Sequence, residues 1–215
     1  MSETTDHTNT CKQLNADGTC SIAEKSCWYT TNRSVCACNS HYEYLTMIGE
    51  PPITTEIKKR MLPRVVQGWK ERGGTGARNM AGRPFEDITS DVFKEKLSHL
   101  NVKILTRKQF EVAPGVKTIV DIRIEKPDYP TAVISLKTYV DNDVFRNCFG
   151  DAYFTKSMYG MLKTRFYIIV FIPKAFSDGL MKMAKPHIDG LYQLSGEPYV
   201  DELFGILEGI YKEVK

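Results

Sequence analysis

The chain has 215 residues, 42% of them hydrophobic and 26% charged, with a formal net charge of +3. This ordinary globular composition excludes a wholly disordered or fibrous chain and leaves room for one core domain plus an appendage. The small positive excess permits a nucleic-acid partner without demanding one, so the distribution of charge matters more than its total.

The first ten residues are rich in Thr and acid, have no apolar period, and are expected to be disordered. Met1-Ser2-Glu3-Thr4-Thr5-Asp6 is polar and acidic rather than a signal peptide, and no apolar run approaches a bilayer span. The expected location is the cytoplasm, with no membrane partner.

Residues 11–50 form a Cys-rich appendage containing Cys11, Cys20, Cys27, Cys36 and Cys38, with His41 shortly after. Asp17-Gly18 is a turn signal, so Cys11 and Cys20 could bracket a small hairpin. A segment this short cannot build its own apolar core and needs a staple. Cytosolic thiols stay reduced, which favours structural Zn²⁺ over disulfides. The spacing is not a pair of CxxC knuckles, and a loop whose cysteines merely pack is the alternative. Either way the piece reads as structural.

The remainder, 51–215, is the candidate functional domain. Between Pro51 and Arg83 eight basic residues face only Glu56 and Glu71. Such a run usually means a solvated helix face. Here it ends in Arg72-Gly73-Gly74-Thr75-Gly76-Ala77-Arg78-Asn79-Met80-Ala81-Gly82-Arg83, which predicts a flexible loop with amides and arginines suited to phosphates. No Gly-Lys-Ser/Thr follows, so Arg78 and Arg83 are read as contacts to a DNA backbone rather than as part of a nucleotide-binding loop. Pro84 then opens a helix with Phe85, Ile88, Val92, Phe93, Leu97 and Leu100 at helical spacing. Glu86 in its first turn complements the helix dipole.

Strands are predicted at 102–105 and 109–112. A β-hairpin follows, with Ile119-Val120-Asp121-Ile122-Arg123-Ile124 and Ala132-Val133-Ile134-Ser135-Leu136-Lys137 joined through Lys126-Pro127-Asp128-Tyr129-Pro130. Alternation puts Ser135 and Lys137 on one face and Ile134 and Leu136 on the other. Asp121 shares a face with Arg123, opposite Val120 and Ile122. If residue 121 pairs with 135 or 137, Asp121 and Lys137 project from the same side. A carboxylate beside a lysine at a sheet end suits metal-assisted phosphodiester hydrolysis: the acid holds a hard cation, and the lysine acts on water and offsets phosphate charge. A surface ion pair is the plain alternative.

A helix is expected from Val144 to about Lys163, its buried stripe marked by Phe145, Cys148, Phe149, Ala152, Tyr159 and Leu162. Asp151 borders that stripe and so needs a partner, which a metal ion would supply. Cys148 reads as packing. Arg165-Phe166-Tyr167-Ile168-Ile169-Val170-Phe171-Ile172-Pro173 is too short for a membrane and suits a central buried strand. Mixed polar segments lead to a C-terminal helix, Val200 to Tyr211.

The run Asp121, hairpin, Ser135-Leu136-Lys137 and Asp151 resembles the PD-(D/E)XK nuclease superfamily. The segment looks like that of one subset, the type II restriction endonucleases of CCGG-type sites, which use Ser-x-Lys and place the displaced acid on the following helix. The resemblance covers about a sixth of the chain. It implies an α/β fold with an αβββαβ core, in which a mixed central sheet is flanked by helices. It also implies Mg²⁺ held by Asp121 and Asp151, Lys137 acting on water, double-stranded DNA as substrate, and a homodimer. Glu86 in Gly82-Arg83-Pro84-Phe85-Glu86 resembles the acid on the superfamily's first helix, which would point it toward Asp121. Asp143 and Asn147 stand at matching places, and with Arg146 are expected to face the DNA bases.

The chain departs from the family at several positions. Ser135 replaces the first acid of the second strand, Asp151 replaces the usual Glu, and Val120 stands where many members have proline. Asp141 and Val144 stand where that subset has guanine-reading arginines. Two other classes stay open: a repair or recombination nuclease that cuts by DNA structure, and a noncatalytic DNA-binding module.

Overall fold

The computed structural model describes residues 15–17, 19–21, 25–26, 50–113, 115–159, 163–172 and 178–212. Cys11, Cys27, Cys36, Cys38 and His41 fall outside them, as do residues 1–10. Within the Cys-rich stretch, β1 (Thr19–Cys20) pairs antiparallel with β2 (Lys25–Ser26). This hairpin takes Cys20 into its first strand, and the expected bracket of Cys11 and Cys20 lies outside the described residues. Asp17 instead turns the chain into β1, its Oδ1 accepting the Thr19 N–H at 2.9 Å and the Thr19 hydroxyl at 2.6 Å.

Helix α1 (Pro52–Leu97) is helical throughout, with Pro63 and Pro84 inside it. This corrects two expectations: Arg72–Arg83 is not a loop, and Pro84 does not open a helix. Nor is α1 a straight rod. Arg60 Nη2 lies 2.7 Å from Glu95 Oε2, and Lys96 Nζ lies 2.8 Å from Glu56 Oε2. A straight helix would hold residues 60 and 95 about 50 Å apart. The two arms therefore run antiparallel, with Gly76 and Ala77 midway in sequence between those partners. Glycine and proline weaken a helix locally. Here Ile57, Met61 and Val65 of one arm and Phe85, Val92, Phe93 and Leu97 of the other enter the same buried cluster, and that burial overrides local preference. The start of α1 has no side-chain cap of its own. Asp201, far along the chain, takes the N–H groups of Ile53 and Thr54 at 2.8 Å each, and the Thr54 hydroxyl at 2.6 Å.

After a 3₁₀ turn (Ser98–Leu100) come β3 (Lys103–Ala113), β4 (Val116–Glu125) and β5 (Thr131–Tyr139). Helix α2 (Asn142–Tyr159) leads to β6 (Thr164–Ile172), α3 (Asp178–Ala184), β7 (Gly190–Gln193) and α4 (Val200–Tyr211). The two strands predicted before the hairpin are one strand, β3. The sheet order is β3-β4-β5-β6-β7, antiparallel from β3 to β5 and parallel from β5 to β7. The expected αβββαβ order is present, followed by α3, β7 and α4.

Each face of the mixed sheet is covered. One cluster joins Ile122, Ile124, Ile134, Leu136, Tyr167 and Ile169 to α1 and α4, with Phe93 and Phe204 ring centroids 4.3 Å apart. The other joins Val133, Phe166, Ile168 and Val170 to Phe145, Cys148 and Ala152 of α2. β6 thus buries alternate residues in opposite cores, which is why its sequence is apolar without interruption. In the turn between β4 and β5, Asp128 has φ +68°, a conformation Asp tolerates better than most residues. The buried Tyr211 hydroxyl sits there too, donating toward the Pro130 and Ile124 carbonyls (2.8 and 3.1 Å) and accepting the Ala132 N–H at 3.0 Å.

Among the described residues no helix is long and apolar enough to cross a membrane.

Candidate active site

The β4–β5 ladder pairs Ile124 with Ala132, Arg123 with Val133 and Ile122 with Ile134, and then stops. Asp121 is the next residue, opposite Ser135 in that register. Its side chain enters the gap: Oδ2 accepts the Leu136 N–H at 2.7 Å and lies 3.4 Å from the Ser135 hydroxyl. A backbone donor freed where two strands part thus finds a carboxylate, as a part-buried N–H must. β5 continues beyond the parting because β6 supports its other edge, pairing Lys137 with Val170. That support places Lys137 Nζ 4.0 Å from Asp121 Oδ2.

The side-chain alternation of β4 fails at this point. Ile122 and Ile124 pack in the first core, whereas Val120 packs in the second. The expectation that Val120 and Ile122 share a face is therefore corrected. On the neighbouring strand Thr106 pairs with Ile122 and Lys108 with Val120, leaving Arg107 across from Asp121. Arg107 has φ +48°, unusual for a non-glycine residue.

Asp151 is brought in by α2, half-buried on the flank of the helix. Burial raises its pKa above the ordinary carboxylate value, the Lys137 charge pulls it down, and the Asp121 charge adds to the rise. Asp121, Lys137 and Asp151 are thus electrostatic neighbours. Cys148, one turn earlier, is fully buried. Burial pushes its thiol up to about 11, against the opposing influence of Lys137, and it hydrogen-bonds with Ser135. A thiol so protonated packs beneath the site instead of acting as a nucleophile.

Glu86 sits in the second arm of α1 and is engaged by Arg107. Arg107 Nε donates to Glu86 Oε2 at 2.7 Å, while Nη2 lies 2.9 Å from Asp87 Oδ1 and donates to the Arg83 carbonyl at 3.2 Å. Burial disfavours the guanidinium charge, but the Glu86 hydrogen bond and the charges of Asp87, Glu86 and Asp121 outweigh it and raise the Arg107 pKa. Arg107 and Asp87 were not legible as site residues in the sequence. Thr106-Arg107-Lys108 looks like a polar break between strands, and only the register across to Asp121 reveals its position.

Among the described residues no three His, Cys, Asp or Glu side chains cluster so that they alone could hold a metal. Asp121 and Asp151 still fit a hard divalent cation. Both offer carboxylate oxygen, and Mg²⁺ is commonly held by one or two carboxylates with water and phosphate oxygens completing the shell.

The residues expected at DNA are dispersed. Asp143 and Arg146 are exposed at the start of α2 and bond to each other at 3.1 Å, with Asn147 exposed beside them. Arg83 is exposed, as are Lys59 and Arg64, while the Arg78 side chain falls outside the described residues. Two members of the basic run are taken up internally. Lys58 is buried against Glu50 at 2.6 Å, and Arg60 is paired with Glu95. Cys20 lies in β1, and its side chain is likewise outside the described residues.

The solved structures similar to this chain include the following two. The restriction endonuclease PspGI in complex with its substrate DNA has a TM-score of 0.44 and 17% identity, over 65% of this chain and 54% of that one. The protein of unknown function AF1548 has a TM-score of 0.40 and 16% identity, over 59% and 71% of the two chains. The chain thus spans about half the length of the PspGI structure. No family model and no curated protein sequence matches.

Proposed function

We propose that this chain is a Mg²⁺-dependent endonuclease that hydrolyses double-stranded DNA in the manner of type II restriction enzymes. One observation carries the reading: Asp121 is locked by the Leu136 N–H at the parting of two strands, with Lys137 at 4.0 Å, and both charges are felt by the half-buried α2 carboxylate of Asp151. A plain surface ion pair needs neither the strand parting nor a second half-buried acid.

In this reading Asp121 and Asp151 hold the cation, which when bound polarises the scissile phosphate and lowers the pKa of water. Lys137 positions a water for attack and offsets negative charge on the phosphate. The Leu136 N–H holds Asp121 in one orientation, so the site is organised before substrate arrives. Ser135 keeps the place beside Asp121 narrow and polar, resting on Cys148. Exposed Arg83, Lys59 and Arg64 supply contacts to the DNA backbone, and Asp143, Arg146 and Asn147 read bases from the start of α2. A homodimer matches a two-fold symmetric site. Cys11, Cys20, Cys27, Cys36 and Cys38 supply thiolates for a structural Zn²⁺ in residues 11–50.

The test is incubation with plasmid DNA and Mg²⁺, followed by sequencing of the ends. Discrete fragments with a common end sequence are expected. Smearing, or cutting that follows branches, would make the chain a repair or recombination nuclease, and DNA bound but left intact would make it a noncatalytic binder.

A further inference from the structure

The β3–β4 ladder continues where β5 has stopped supporting it. β5 pairs with β4 at Ile122, Arg123 and Ile124, yet β3 and β4 keep five further pairs beyond Ile122, from Lys108 with Val120 to Ala113 with Val116. Among the described residues β4 has no other partner strand there. The path from Ile122 to Val116 carries this two-stranded ribbon about 20 Å past the last β4–β5 pair. Two strands alone are marginal in water and need something to rest on. Val120 supplies the foot by packing in the second core. At the tip Gly115 has φ +76°, and a Cβ placed on it would meet no atom of the described residues within 4 Å.

The ribbon leaves the sheet at Asp121, at the same sheet end where β5 finishes at Tyr139 and the chain passes into α2. DNA lying over Asp121 and Lys137 therefore meets it, and the major groove admits a two-stranded ribbon. Lys108 and Lys117 against Glu111 leave its strands with a net positive charge, which suits a polyanion. Gln109 and Ile119 are partners in the register, so their side chains share one face. Both are exposed, Ile119 at 58%. Val120 turns to the second core, which leaves Ile119 on the ribbon's other face. An amide beside a branched apolar group matches an A·T pair: the amide bonds to adenine N6 and N7, and the apolar group takes the thymine methyl. Resting on the nuclease reading above, we infer that the β3–β4 ribbon beyond Asp121 is a DNA-reading arm that enters the major groove, with Gln109 and Ile119 as specificity-determining residues for an A·T pair.

The test is selection of duplexes from a randomised pool by the full chain in Ca²⁺, followed by binding to the selected site. Gln109→Ala should lose preference for one A·T pair by roughly ten-fold or more while preferences elsewhere in the site are kept. Two altered bases probe the same contact on the wild type, so that no variant has to fold. At that pair 7-deazaadenine removes the adenine N7 acceptor and uracil removes the thymine methyl, and each should weaken wild-type binding. Uracil should then have no effect on Ile119→Ala, nor 7-deazaadenine on Gln109→Ala, which a purely structural role for either residue would not produce. Unchanged discrimination in both variants would overturn the inference, as would an equal loss on selected and random DNA, which would make the ribbon a backbone contact. Variants that read DNA as the wild type does, but sediment as monomers where the wild type is a dimer, would make the ribbon a contact between copies and overturn it too. A wild type that selects no duplex at all overturns the nuclease reading itself, whereas one that selects and cuts its site while both variants read it unchanged overturns the ribbon's role alone.

Discussion

The Leu136 N–H donates to Asp121 Oδ2 at 2.7 Å across the point where β4 and β5 stop pairing. Asp121 thereby has two separable roles, as acceptor for a backbone group and as carrier of negative charge. Asparagine keeps the first and loses the second. Asp121→Asn should fold with near wild-type stability and lose cleavage. Asp121→Ala leaves the part-buried N–H unpaired and should cost about 1–3 kcal/mol in addition. Urea unfolding and plasmid cleavage, measured on both variants, separate the two effects.

Lys137 is held by β6 through β5, so its backbone does not depend on its side chain. Lys137→Ala should abolish cleavage while DNA binding in Ca²⁺ stays largely intact, because the lysine acts on water and phosphate and reads no base. A mutant that cuts DNA at the wild-type rate would sink the proposed chemistry.

Asp151 makes a pH prediction. Its folded pKa lies above the unfolded value, so the native state holds its proton more tightly. The favourable contribution is full below the ordinary Asp pKa and is lost as pH rises through the raised one. At neutral pH ionised Asp151 is therefore a cost to the metal-free fold. Asp151→Asn should melt higher than the wild type at pH 7, with the difference shrinking toward zero as the medium is acidified below the ordinary Asp pKa. Melting curves in chelator across that range give the answer, and a gap independent of pH would contradict it.

Asp143, Arg146 and Asn147 form an exposed polar turn at the start of α2. If that turn reads bases, Asp143→Ala and Asn147→Ala should each lose roughly 1–3 kcal/mol of preference for the cognate site per half-site. Asp141 and Val144 stand in place of guanine-reading arginines, so the target should not be a plain CCGG core. The measurement is binding in Ca²⁺ to cognate and random DNA. Full discrimination by both mutants would move recognition to the exposed arginines and lysines of α1 or to the Cys-rich stretch.

The cysteines give a compositional prediction. Protein purified without chelator should carry about one zinc per chain, and chelation should expose the thiols to reagent. Zinc-free protein whose cysteines react freely in the native state would return them to simple packing.

Local pattern alone determined much of the architecture. The C-terminal helix begins and ends at Val200 and Tyr211 as its periodicity predicts, and the uninterrupted apolar run of β6 marks a strand buried on both faces. The β4–β5 hairpin was legible because only a few residues, fixed by two prolines, separate its strands, and one-residue slippage would exchange the side chains packed in its two cores. Helix α3 and strand β7 carry too few residues for a period to show.

What tertiary structure decided involves partners distant in sequence. The glycines at 73–76 signal a break, and only the meeting of Arg60 with Glu95 and Lys96 with Glu56 shows a helical run turned back on itself. Likewise, Arg107 opposes Asp121 and takes Glu86 because three elements converge there. A charged side chain in a strand reads the same from sequence whether it faces solvent or a carboxylate brought from another element. Its electrostatic environment is a property of the folded arrangement.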